Sequence, residues 1–194
     1  MDLAGVNAST STPIHGILGA PFFAAHSAYV DVGNLVLWVA PHTYSPQSLA
    51  VDLSAAGMSS TALKRNPIGF MMLPVTANRT PGLNTLVDTG ATATVVEILI
   101  ATELGLELRN GGGQATTVHG IASVSLSTLE TLALESLSLS HVDVAVMDLS
   151  QFNRQLDAAG LKTLDVILGI DILTQYKAVI DYPGARLFFY SSDY

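Results

Sequence analysis

One stretch of this chain occurs twice. His15–Val39, HGILGAPFFAAHSAYVDVGNLVLWV, aligns without a gap on Asp165–Phe189, DVILGIDILTQYKAVIDYPGARLFF. Identical residues fall at Ile17/Ile167, Leu18/Leu168, Gly19/Gly169, Ala28/Ala178, Asp31/Asp181 and Leu37/Leu187, with conservative pairs such as Val30/Ile180 and Trp38/Phe188 between them. Each copy predicts the same series: the end of a strand, a glycine turn, a short helix and a β-hairpin. Two such matches imply two copies of one supersecondary unit. The competing explanation is chance similarity between two apolar segments. If the repeat is real, the first copy must bury its apolar face against the rest of the chain or against another chain.

Composition narrows the options. The 194 residues suffice for one domain with a sizeable core, or one domain and part of another. Charged residues make up only 12% and mean hydropathy is +0.44, so a large buried interface is expected, unless a partner segment is missing. The net charge of −8, with no basic stripe, excludes a nucleic-acid partner, because such binding rests on Lys and Arg. There are no cysteines, which excludes disulfides, thiolate metal sites and cysteine nucleophiles. The compartment stays open, and an exported or periplasmic setting suits a soluble chain without thiols as well as any other. Leu3–Val30 lacks Asp, Glu, Lys and Arg before Asp31, but polar residues interrupt it throughout. Its uninterrupted part, GILGAPFFAA, is too short to span a bilayer. The start also lacks the basic and apolar regions of a signal peptide.

Between the copies, Ala40–Pro67 is rich in Ser, Ala and Pro and reads as a connector. IGFMMLPVTANRTPGLNTLVDTGA predicts strand, turn (Asn78 to Gly82), strand. Val95–Leu106 has helical apolar spacing and a glycine stop, so a short helix is expected after Ala91. NGGGQATTVHGIASVSL predicts a hairpin with Gly120 near its tip, LETLALESLSLSHVDVAVMDL further strands, and QFNRQLDAAG a short helix. The segment from Phe70 to Tyr190 is therefore mostly short strands, as in a small barrel or closed sandwich.

The chemistry centres on LNTLVDTGATATVV, Leu83–Val96. An apolar strand runs into Asp88. A lone buried acid is costly unless paired or hydrogen-bonded. Asp88 is therefore half of a larger arrangement, or a turn-forming acid that caps the next helix.

Asp88-Thr89-Gly90-Ala91 after Thr85-Leu86-Val87, with Ile167-Leu168-Gly169 at the far end, resembles the retropepsin-like aspartic proteases. The order of parts also matches: acid loop, short helix, flap-like hairpin, strands, two apolar residues and Gly, helix, final strands. The resemblance implies a mostly β fold, a retropepsin-like closed barrel or sandwich with short helices, over residues 69–194. Residues 41–68 would be a connector and 1–40 a partial first repeat, the C-terminal half of an acid-protease-like lobe. The implied activity is aspartic endopeptidase, hydrolysing a peptide or protein substrate without metal or cofactor. Two carboxylates would activate water and share one proton, because like charges so close cannot both ionise. Asp88, Thr89 and Gly90 would be catalytic. Thr89 would hydrogen-bond across to the opposing loop, and Gly90 would allow tight backbone approach. Ile167-Leu168-Gly169 would pack behind the acid loop. Ala91, His119, Gly120 and Ile121 would contact substrate.

The chain departs from this pattern in having a single Asp-Thr-Gly. Asp31-Val32-Gly33 is not a second one, because the repeat aligns Asp31 with Asp181. The second acid must come from a second chain, giving a homodimer with two Asp88 carboxylates, or from missing sequence, or not at all. In the last case the chain is a catalytically silent domain that binds peptides or assembles. The residues Asp88 to Thr94 also resemble the phosphate-binding hairpin of actin-like sugar kinases, but those folds are much longer. The five histidines show no metal-ligand spacing. Asp171 reads as a helix-start acid that favours the local dipole.

Overall fold

The computed structural model describes residues 7, 11–39, 46–117 and 120–190. The first repeat copy forms α1 (Ala20–Ala25), β1 (Ala28–Asp31) and β2 (Val36–Val39). The stretch expected to be a connector also carries structure: α2 (Pro46–Ala55), β3 (Met58–Ala62) and β4 (Lys64–Arg65). Its periodicity is weak because α2 packs lightly, through Ala50 and Leu53 against Met58 and Phe188. Then come β5 (Met71–Ala77), β6 (Thr80–Val87), β7 (Val95–Glu97) and α3 (Ile98–Glu103). A hairpin of β8 (Gln114–Thr117) and β9 (Gly120–Ser123) precedes two long strands, β10 (Ser125–Leu134) and β11 (Leu137–Met147). The chain ends with α4 (Ser150–Ala158), β12 (Val166–Leu168) and the second copy, α5 (Ile170–Gln175), β13 (Val179–Asp181) and β14 (Arg186–Tyr190).

Six strands close into a barrel in the order β10–β11–β7–β12–β6–β5, because β5 also pairs with β10. Closure leaves no free edge within the ring. Leu73, Val75, Leu129, Leu132, Val146 and Val166 are among the residues that fill it. The β5–β6 turn is tighter than the sequence suggested. Asn78 and Arg79 both have positive φ (43° and 72°), and Ala77 pairs directly with Thr80. This is the two-residue hairpin geometry that matches strand twist. Asn78 also ties the turn to β10, donating its N–H to Thr131 O (3.0 Å) and accepting Thr131 N–H at Oδ1 (3.1 Å). The helix expected after Ala91 begins later, at Ile98. Val95 and Val96 are needed first as a strand between β11 and β12. The buried Glu97 then starts α3 by accepting the N–H groups of Leu99 and Ile100 on its carboxylate.

A second sheet runs β2–β1–β13–β14–β3. At its centre β1 lies antiparallel to β13, with Val30 opposite Ile180. These are equivalent residues of the two copies, so a local two-fold axis passes between them. The equivalence extends to backbone detail. Gly19 and Gly169 each precede the helix. Ser27 and Lys177 have φ of 49° and 47°, and Leu35 and Ala185 have φ of 56° and 49°. Val30 pairs with Leu37 as Ile180 pairs with Leu187. Val32 N–H donates to Ala178 O (2.8 Å), and its equivalent Tyr182 N–H donates to Ala28 O (3.3 Å). Asp31 Oδ1 accepts Asn34 N–H (2.9 Å) as Asp181 Oδ1 accepts Gly184 N–H (2.7 Å). Non-glycine residues rarely take positive φ, so two matched pairs of them tell against chance similarity. Asp31 is thus a hairpin residue, not an acid loop. No helix among the described residues is long and apolar enough to cross a membrane.

Candidate active site

Asp88 follows directly on β6. That strand is buried because it lies between β5 and β12, with Val87 opposite Leu168 in parallel register. The ladder continues one step further, and Asp88 N–H donates to Leu168 O (3.0 Å). The chain then turns. Gly90 N–H donates to Asp88 Oδ1 (2.8 Å), and Ala91 N–H reaches Asp88 O (3.3 Å). A Cβ on Gly90 would lie 3.1 Å from Asp88 Oδ1, so glycine is favoured there for space. Asp88 and Thr89 are half-buried, and Gly90 is exposed. Asp88 Oδ2 accepts no hydrogen bond among the described residues. The carboxylate therefore has one oxygen held and one available.

A brace behind the loop holds it against the second repeat copy. Ile170 N–H donates to Ala91 O (2.8 Å). The fully buried Thr94 accepts Gly169 N–H at Oγ1 (3.1 Å) and donates that hydroxyl to Asp171 Oδ1 (2.8 Å). Thr94 N–H donates to Asp171 Oδ2 (2.8 Å), and Ile172 N–H donates to Asp171 Oδ1 (2.8 Å). A Cβ on Gly169 would fall 2.5 Å from the Ala93 carbonyl, so the close approach demands glycine. Asp171 does start α5, as the sequence suggested. Its larger role is to clamp Thr94, a residue 77 positions earlier. Chain order gives no sign of that pairing.

Tyr182 adds a further neighbour. Burial, and then the negative charge of Asp88, push its phenol up to about 12, so the ring stays neutral. Its ring packs on Phe23 of the first copy with centroids 4.9 Å apart. The N-terminal unit therefore reaches the surroundings of the acid loop.

The structure brings Asp88, Thr89, Gly90 and Ala91 together in one turn. Thr89 makes no hydrogen bond among the described residues. The β8–β9 hairpin has Thr117 opposite Gly120, at the expected place near its tip. Ile121 is largely exposed on it. His119 lies outside the described residues. No hydrogen bond among the described residues joins Gly120 or Ile121 to the acid loop. No group of three or more His, Asp or Glu among the described residues is placed to hold a metal ion.

Residues 73–172, just over half of the chain, match the family described as aspartyl protease. The chain belongs to the aspartyl protease family. The match takes in the acid loop, the brace and the start of α5. Among solved structures, this family member is similar to a retropepsin-like aspartic protease from Rickettsia conorii, with 20% identity over 68% of this chain and 90% of that one, at a TM-score of 0.49. It is also similar to the EIAV protease in complex with the inhibitor HBY-793, with 24% identity over 57% of this chain and 90% of that one, at a TM-score of 0.42. The retroviral protease-like domain of Ddi1 from Leishmania major has 17% identity over 64% of this chain and 90% of that one, at a TM-score of 0.43. Comparison with curated proteins finds no match. The mostly β closed barrel with short helices expected from the sequence is the fold of this aspartyl protease family member.

Proposed function

We propose that the protein is an aspartic endopeptidase that hydrolyses peptides or proteins, with Asp88 as one of two carboxylates that activate water. The observation that carries this reading is the state of Asp88. It sits half-buried at the end of a core strand, with one oxygen held by Gly90 N–H and the loop braced from behind by Thr94 and Asp171. An inert turn needs no such brace, and a reacting carboxylate does.

In the reaction, the ionised carboxyl of the pair takes a proton from water as the oxygen attacks the scissile carbonyl carbon. The protonated carboxyl polarises that carbonyl. The tetrahedral intermediate then collapses with cleavage of the C–N bond, and a proton passes to the leaving amine. The two carboxyls titrate as a pair. Thr89 would steady the opposing loop. Ala91 beside the acid, and His119, Gly120 and Ile121 on the hairpin, would contact the substrate. In the form expected from the sequence, the second carboxylate is Asp88 of another copy in a homodimer. A second reading is a catalytically silent domain that binds peptides or assembles. A single acid loop in the chain is the observation that favours it.

Hydrolysis of a broad peptide pool between acidic and neutral pH tests the proposal. A bell-shaped profile is expected for the wild type and background cleavage for Asp88→Asn, with the variant still folded. Equal cleavage by both proteins removes Asp88 from the mechanism. No cleavage by either, at any protein concentration, leaves the silent domain.

A further inference from the structure

A groove of about 610 Å³ opens between the 104–109 segment, β10 and the turn at Asn78 and Arg79. That turn leads into β6 and Asp88 follows the end of β6, so roughly 23 Å of strand separates groove from acid loop. The volume lies within the range of about 300–1,000 Å³ that ligand sites occupy. Its floor includes an open stretch of strand edge. On the side of β10 away from β11, Leu126 exchanges both backbone hydrogen bonds with Arg109 (2.8 and 3.0 Å). Alternate residues of a strand turn N–H and C=O to the same side, so Thr128 aims its own at the groove. A regular continuation would place Glu107 opposite Thr128. Instead the chain peels away there, and Glu107 O accepts the Ser127 hydroxyl (2.8 Å). The next cover on that edge is Asn78, which bonds Thr131. An uncovered strand edge is a template for an added strand. On the wall, Arg79 makes no hydrogen bond or ion pair among the described residues.

We propose that this groove binds a short extended peptide with a free C-terminal carboxylate, its main chain pairing with Thr128 and its carboxylate meeting Arg79. The open N–H and C=O of Thr128 call for a partner that offers both an acceptor and a donor, as a peptide does and a simple anion does not. The unpaired guanidinium calls for a carboxylate, which it can hold in two parallel bonds. Glu107 and Glu130 in the lining make phosphate or another polyanion a poor fit, because like charges repel. Leu104 and Leu106 give the groove an apolar side for one small side chain. The groove also frames the stem of the β8–β9 hairpin. The 104–109 wall leads into that hairpin and β10 leads out of it. Arg109 ties the two sides by donating to Thr128 Oγ1 (2.9 Å) and Asp143 Oδ1 (3.2 Å). A peptide seated beside Thr128 bridges both sides of the stem and stiffens the base of the hairpin. This binding does not rest on the peptidase reading.

The test titrates the full chain, carrying Asp88→Asn so that no peptide is cleaved, with acetyl-trialanine as its free acid and as its C-terminal amide. Backbone amide resonances follow the binding. The free acid should shift the Thr128 and Leu106 signals saturably, and the amide should bind several-fold more weakly. Arg79→Gln should bring the free acid down to the level of the amide. If glutamine unsettles the turn, Arg79→Gly suits the positive φ there (72°) and should give the same loss. Inorganic phosphate should not displace the peptide. Shifts confined to the acid loop, equal binding of acid and amide, or full binding by the Arg79 variants would overturn the proposal. Displacement by phosphate would also overturn it, since the groove would then be a plain anion site. None of these readouts is peptide cleavage, so failure of the peptidase reading would leave the groove proposal standing.

Discussion

The N-terminal and C-terminal units differ less in shape than in what covers them. Both run from Ile-Leu-Gly through a six-residue helix into a hairpin, with the same left-handed positions and matched register. The C-terminal unit is enclosed by the barrel and by α2 and β3, and it positions an acid loop. Among the described residues, the N-terminal unit meets the core on one side only and positions none. The backbone shape is thus set within the unit, by glycine, turn residues and strand pairing. Burial, and with it any catalytic use, is conferred by what packs on it.

The glycines of the two units give the sharpest test of that contrast. Gly169→Ala drives a methyl into the Ala93 carbonyl, where backbone on both sides cannot yield. The loss should exceed the about 1–3 kcal/mol of ordinary overpacking. Gly19→Ala meets nothing closer than Pro21 Cδ at 3.7 Å and should be near neutral. Denaturant titration of both variants measures the difference, and equal losses would break the comparison.

Next in size is Leu168→Ala, which should cost about 2–5 kcal/mol as a core truncation. Leu18→Ala, on a side chain already in water, should stay within about 0.5 kcal/mol. A large loss at Leu18 in the isolated chain would mean that its face is already covered. Thr94→Val follows. It keeps the shape but removes the hydroxyl that serves both Gly169 and Asp171, for about 1–3 kcal/mol. It should also lower peptide cleavage more than it lowers stability near the melting range, since it loosens the loop that holds Asp88. The N-terminal unit has no such brace among the described residues.

The smallest effect concerns Asp181. It is fully buried, and Oδ2 has no hydrogen-bond partner among the described residues. Burial raises its pKa, opposed by the Gly184 N–H and the Arg186 charge. A raised folded-state value means that the folded protein holds the proton more tightly than the unfolded chain. This contribution is therefore full below the ordinary carboxylate range and is lost as pH rises through the folded value. Asp181→Asn, always neutral, should melt higher than wild type at neutral pH, with the gap closing on acidification. Melting curves across pH compare the variant with the wild type.

Much of the fold was legible because it rests on local signals. The repeat, the strand ahead of Asp88, the Ile-Leu-Gly unit and the β8–β9 hairpin were all marked by residue type and spacing. The structured part of 46–65 was not, because a lightly packed helix and an edge strand leave little periodicity. The late start of α3 was missed for a related reason. Val95 and Val96 suit helix or strand, and their two neighbouring strands decide it.

The sequence by itself determined that the chain carries one acid loop and two copies of the unit that can hold such a loop, since both facts are written in consecutive residues. Only the tertiary structure decided that the two copies face each other about an axis between Val30 and Ile180, that Thr94 is locked to Asp171, and that, among the described residues, one copy is covered and the other bare. Those relations join residues far apart in the chain. Hydrogen bonds and burial at such separations depend on which surfaces meet after folding, and local residue pattern does not encode that.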